Sequence, residues 1–146
     1  MKRFQFQLQR ILDVRRGEER EAQRNLAVLN RQRSIIEDRL RSAEAQRQTA
    51  LEQRRSSLVG DLAIDQLRIQ AVMVHQQDRQ ARQLMMELAS LEPDREEAHK
   101  ALLRAMTARR SLEWLRERTK ARWLREQRRQ ERRDEQELNI IREPVT

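Results

Sequence analysis

From Leu8 onward, apolar residues recur at alternating steps of four and three, in a chain with only two glycines and two prolines among 146 residues to interrupt a helix. The positions met are Leu8, Leu12, Arg15, Glu19, Ala22, Leu26, Leu29, Arg33, Ile36, Leu40, Ala43, Arg47 and Ala50, nine of the thirteen apolar. The opposite face reads Arg10, Gly17, Arg24, Arg31 and Asp38. A repeat of about 3.5 residues is the seam of a left-handed coiled coil, so the chain is committed to a long helix that pairs with another. The arginines and Glu19 inside the seam are expected to weaken it, although long arginine stems can lie along a seam with their heads in water.

The stripe loses phase at "RRSSLVGDLAID". Gly60 tolerates a positive φ there and Asp61 can cap a new helix. A second stripe follows through Leu67, Val74, Ala81, Leu84, Leu88, Leu91, Arg95, Ala98, Leu102, Ala105, Arg109, Leu112, Arg116, Thr119 and Trp123. Two long helices with one short connection make an antiparallel hairpin, an all-α fold whose 50-residue arm is about 75 Å long. The boundaries read as one coiled-coil domain over 1–146: a helix over about 4–57, a turn over about 58–61, a helix over about 62–139 and a flexible tail over 140–146. Pro93 permits either a kink in one continuous second helix or a reversal giving three helices. The uninterrupted phase through Leu88, Leu91, Arg95 and Ala98 favours the kink.

Composition excludes several functions. Only 37% of residues are hydrophobic and 38% are charged, with two Phe and no Tyr, too little aromatic bulk for a compact globule. The abundant Ala, Glu, Leu, Arg and Gln are strong helix formers, which argues against disorder. No cysteine is present, so no disulfide or thiolate metal site can form. His75 and His99 are about 36 Å apart along one helix and cannot share a metal. A helix pair offers no interior for a ligand, and there is no glycine-rich phosphate loop. The chain is read as a non-enzyme without a cofactor or metal. Its longest apolar run, "AVMV" at 71–74, is far short of the ~20 residues that span a bilayer, so a soluble intracellular protein is expected.

The charge is uneven. From Lys100 to Arg133 there are 13 Lys and Arg against Glu113, Glu117, Glu126 and Glu131, a local net of +9 beside +8 for the whole chain. Such a helix can neutralise phosphates. Here the arginines spread around the helix and alternate with glutamates, which suits a solvated helix or a protein partner better than nucleic acid. Both tryptophans lie in this segment. Trp123 is a seam position, expected to close the end against Phe4 and Phe6. Trp114 falls on the outward side, flanked by Arg110 and Arg118. There it is either an interface anchor or a ring lying over neighbouring stems.

These residues resemble the FliJ family, the coiled-coil stalk proteins of the flagellar type III export apparatus. The opening "FQFQLQRILDVRRGEE" is similar to the family's start, through Phe4, Leu8, Ile11, Leu12, Arg15 and Glu19. The closing segment is similar through Leu112, Glu113, Leu115, Arg116, Glu117 and Arg118, then Glu131, Asp134 and Glu135. "QELNII" after Glu135 departs from the Ala- and Arg-rich tail of the family.

The resemblance implies a non-enzymatic accessory subunit for protein transport in flagellum biogenesis and motility. Its paired ends would insert into the ring of a hexameric export ATPase, and it would also contact the membrane export gate protein and escort export chaperones. It would act in the cytoplasm, peripheral at the inner face of the inner membrane. On this reading the residues meeting the ring are Phe4, Arg15, Arg110, Trp114, Arg118, Arg125, Asp134 and Glu135, and no nucleic acid is expected. The same plan would serve a virulence secretion system or a rotary ATPase. A basic coiled coil that binds nucleic acid or a scaffold is the more distant alternative.

Overall fold

A computed structural model describes residues 3–60 and 64–142. It is all-α: helix α1 spans Gln9–Ser57 and helix α2 spans Ile64–Arg142, packed against each other. Helix α2 runs unbroken through Pro93, so the chain does not reverse there. Pro93 is exposed, and the cost of its missing N–H falls on the solvent face of the helix.

Local chemistry explains the ends of α1. The Gln9 amide donates to the Phe6 carbonyl at 3.1 Å and the Leu12 amide to the Leu8 carbonyl at 2.9 Å, which starts the helix after the irregular residues 3–6. At the other end Leu58 and Val59 donate to carbonyls three residues back, a tightening that occupies otherwise orphaned acceptors. Ser56 and Ser57 both donate their hydroxyls to the Gln53 carbonyl, as serines near a helix end commonly do. Gly60 then adopts φ of 122°, a backbone that side chains with a Cβ rarely reach. The expected cap Asp61 lies outside the described residues. Of the tail expected over 140–146, residues 140–142 continue α2 and the rest lie outside the described residues.

Packing groups the chain into two units: Met1–Glu21 with Leu102–Thr146 (unit 1), and Ala22–Ala101 (unit 2). Each is a segment of α1 beside a segment of α2, running antiparallel. In unit 1 Phe4 meets Trp123 and Glu19 meets Arg109, and in unit 2 Arg47 meets Asp78 and Ser57 meets Gln70.

The heptads place the seams with two exceptions. Along α1 every expected position is buried or half-buried except Arg15, whose place is taken by Arg16. Along α2 only Thr119 is exposed, and Gln70 and Gln77 fill the gaps in the stripe. Full burial is rare: Leu12, Ala43 and Leu84 are the apolar residues that reach it among those described, and Leu12 alone of these is 0% exposed. Leu26 and Leu102 are half-buried, since a pair of helices encloses little.

Candidate partner-docking surface

Unit 1 holds all four Phe and Trp residues of the chain together with the seam charges Glu19, Arg109 and Arg116, and it sorts its distinctive residues onto two faces. Phe4, in the irregular segment before α1, packs its ring on Trp123 with centroids 5.8 Å apart and planes tilted by 55°. Tilted stacking of this kind adds about 0.5–1.5 kcal/mol beyond the area buried. Phe4 therefore belongs to the fold and is turned toward the seam.

One layer further in, the seam is charged. Glu19 is 8% exposed and accepts from the Arg109 guanidinium. Arg109 also donates to Glu113 at 2.5 Å, and Arg16 reaches Glu113 from α1 at 3.1 Å. Two ion pairs thus cross between the helices. Glu19 is therefore not a lone buried carboxylate: a guanidinium on the facing helix meets it, and removing that guanidinium would leave the carboxylate charge uncompensated. The hydrogen bond from Arg16, with the charge of Arg109 beside it, holds the Glu113 carboxyl below its ordinary value. The hydrogen bond to Glu19 raises Arg109 above its own. In sequence, acids and arginines at facing seam positions of opposed helices were the signal for this layer.

The outer face is different in kind. Trp114 is 62% exposed, and the Arg118 guanidinium carbon stands 5.1 Å from its ring centroid. An exposed cation–π contact of this geometry contributes about 0.5–1 kcal/mol, so the cation lies over the ring without burying it. Arg110 borders the same shallow cleft, with Ser111 and Leu115. Arg110, Trp114 and Arg118 are therefore brought together. Arg125 is exposed on the same helix, about 16 Å further along. Asp134 and Glu135 are exposed about 30 Å from Trp114 and share no site with it. Arg15 is exposed and pairs with Glu18 in its own helix at 2.9 Å. Ile11 and Val14, which the heptads pass over, are exposed on α1.

Among the described residues no group of His, Cys, Asp or Glu is arranged to hold a metal, and no helix is long and apolar enough to cross a membrane.

Two long helices, paired through a narrow seam and carrying their distinctive residues on outer faces, define an all-α accessory protein that works by contact. The family model described as "Flagellar FliJ protein" matches residues 4–142, and the chain belongs to that family. It is thereby a protein of flagellar export, a type III secretion process, in a family of non-catalytic accessory subunits. No curated protein and no solved structure matches it.

Proposed function

We propose that the chain is the stalk subunit of a flagellar export ATPase complex in the cytoplasm. Unit 1 enters the ATPase ring and unit 2 remains available to the membrane export gate and to export chaperones. The observation that carries this reading is the division of labour in unit 1. Trp123 and Phe4 close the helix pair, while Trp114, Arg110 and Arg118 stand outside it with nothing in the fold to require them. An exposed tryptophan framed by arginines is the composition of a protein–protein hot spot. Arg125 continues the cationic face. Arg15 on α1, and Asp134 and Glu135 about 30 Å from Trp114 along α2, are exposed charges outside this cluster that separate contacts with the ring would use. A stalk needs no catalytic group of its own; it needs to be stiff and thin and to present side chains outward.

The test is turnover of a purified export ATPase with and without the protein. Stimulation that saturates with added protein supports the reading, and a flat response sinks it. The +9 charge of residues 100–133 favours nucleic acid as a second reading. On the stalk reading, affinity for random DNA is weak and vanishes near physiological salt. Salt-resistant, submicromolar binding would replace the ATPase with a nucleic acid.

A further inference from the structure

Ile11 and Val14 on α1 are 47% and 59% exposed, and they share a shallow surface with Arg10, Arg15 and Glu18. Trp114 and Leu115 on α2 are 62% and 37% exposed, beside Arg110. Arg16 contacts Glu113 across the seam. Counting two residues along each helix from that contact, in opposite directions, puts Val14 level with Leu115 to within about one 1.5 Å rise. Large apolar side chains that the seam does not use therefore stand at one height of unit 1 on both helices.

Single exposed apolar residues are ordinary. Four within about 6 Å along the axis, on two helices and bordered by cations, match the apolar centre and charged rim of an interface. Among the described residues Arg10, Arg110 and Arg118 form no ion pair, whereas Glu18 is held by Arg15. Three unpaired cations thus stand around the belt against one unpaired carboxylate there among the described residues, Glu117 on α2, so the free charge is net positive.

We infer that Ile11, Val14, Trp114 and Leu115 form one docking belt, which takes a partner face with an apolar centre framed by carboxylates. The inference rests on the reading of the chain as an ATPase stalk and names the chemistry of the surface it meets there. Because half the belt is on each helix, docking requires the helices to be paired, and an unpaired α2 presents only half the site. Arg118, already over the Trp114 ring, is placed to meet a carboxylate once the ring is covered.

The test measures the concentration of protein that half-saturates stimulation of the purified export ATPase. Trp114→Ala and Val14→Gln should each raise it about tenfold or more, the effect of losing a hot-spot side chain. Melting should stay unchanged, because both side chains are exposed. Arg110→Gln should raise it less and flatten its salt dependence, as removal of a rim charge does. Val14→Gln with wild-type half-saturation, while the wild type stimulates normally, overturns the belt and leaves the stalk reading standing. A wild type that does not stimulate overturns that reading and the belt with it. Sedimentation showing a wild-type dimer that Val14→Gln converts to monomer assigns the surface to a second copy and also overturns the inference.

Discussion

Units 1 and 2 are built to the same plan, an antiparallel pair of helix segments, and are held together by different means. Unit 1 has the Phe4–Trp123 ring contact, the fully buried Leu12 and two ion pairs that cross the seam. Unit 2 has no aromatic residue. Its seam is mostly leucine and alanine with Ile36 and Val74, interleaved with Arg33, Arg47 and Arg95 and with Gln70 and Gln77, whose side-chain carbonyls are buried without a partner. Gln70 does donate to Ser57 at 3.1 Å. Its charges mostly pair along one helix, Arg33 with Glu37 and Arg95 with Glu92. Arg47 and Asp78 pair across the seam at 2.8 Å, without hydrogen-bond geometry at the Arg47 Nε. An unsatisfied buried polar group costs about 1–3 kcal/mol. Among the described residues unit 2 has three such side chains, Arg47, Gln70 and Gln77, against Arg116 in unit 1, so unit 2 is expected to be the looser pair. On the stalk reading proposed above, looseness would suit a segment that meets several partners, and firmness one gripped by a ring.

The largest break in this contrast should come from Leu12. Leu12→Ala empties the one completely buried leucine of unit 1 and should cost about 2–5 kcal/mol. Leu26→Ala, in unit 2, removes a half-buried side chain and should cost clearly less. Urea unfolding of the two variants side by side checks the order, and equal losses would mean that the units are equally packed.

Next in size is Pro93, in unit 2. Pro93→Ala restores an N–H to an exposed helix interior and should stabilise unit 2 by about 1–3 kcal/mol. Hydrogen exchange should show added protection around residues 89–97 and none near Leu12. A lower melting temperature would mean that Pro93 is set by packing.

Acid should act more gently, and on unit 1 first. Glu113 and Glu92 both titrate below their ordinary value, each chiefly through an arginine hydrogen bond. A depressed carboxyl contributes stability above its unfolded value, near 4.5, and loses it as pH falls through the folded one. Arg109 and Arg95 are raised, so their contribution is present below the ordinary arginine value and is lost only in strong alkali. Glu113 is gripped by Arg16 on the other helix, while Glu92 is held by Arg95 on its own. Between pH 5 and pH 3, amides near Arg16 and Glu113 should therefore lose more protection than those near Glu92. Glu19→Ala should remove about 1–2 kcal/mol from the same layer, between the values of exposed and buried pairs.

Much of this architecture can be read from residues alone, because helix pairing follows apolar period. The seam positions, the continuity of the second helix at Pro93 and the different exposure of the two tryptophans all follow from stepping by four and three. What periodicity hides is which charge meets which. Stepping by four and three selects Arg15, and the structure instead places Arg16 at that layer, where Glu113 faces it. Glu19 looks like a fault until Arg109 is seen opposite. The apolar residues outside the seam, Ile11 and Val14, carry no periodic signal at all, and only exposure on the folded unit sets them apart.

The smallest expected effect on stability, and the sharpest on function, belongs to Trp114. Trp114→Ala and Trp123→Ala should be compared by thermal unfolding beside stimulation of the export ATPase. The account predicts that Trp123→Ala lowers the melting temperature by opening the contact with Phe4. Trp114→Ala should melt like the wild type and stimulate poorly. A Trp114→Ala protein that unfolds while Trp123→Ala is silent would contradict the division of unit 1 into a folding face and a docking face.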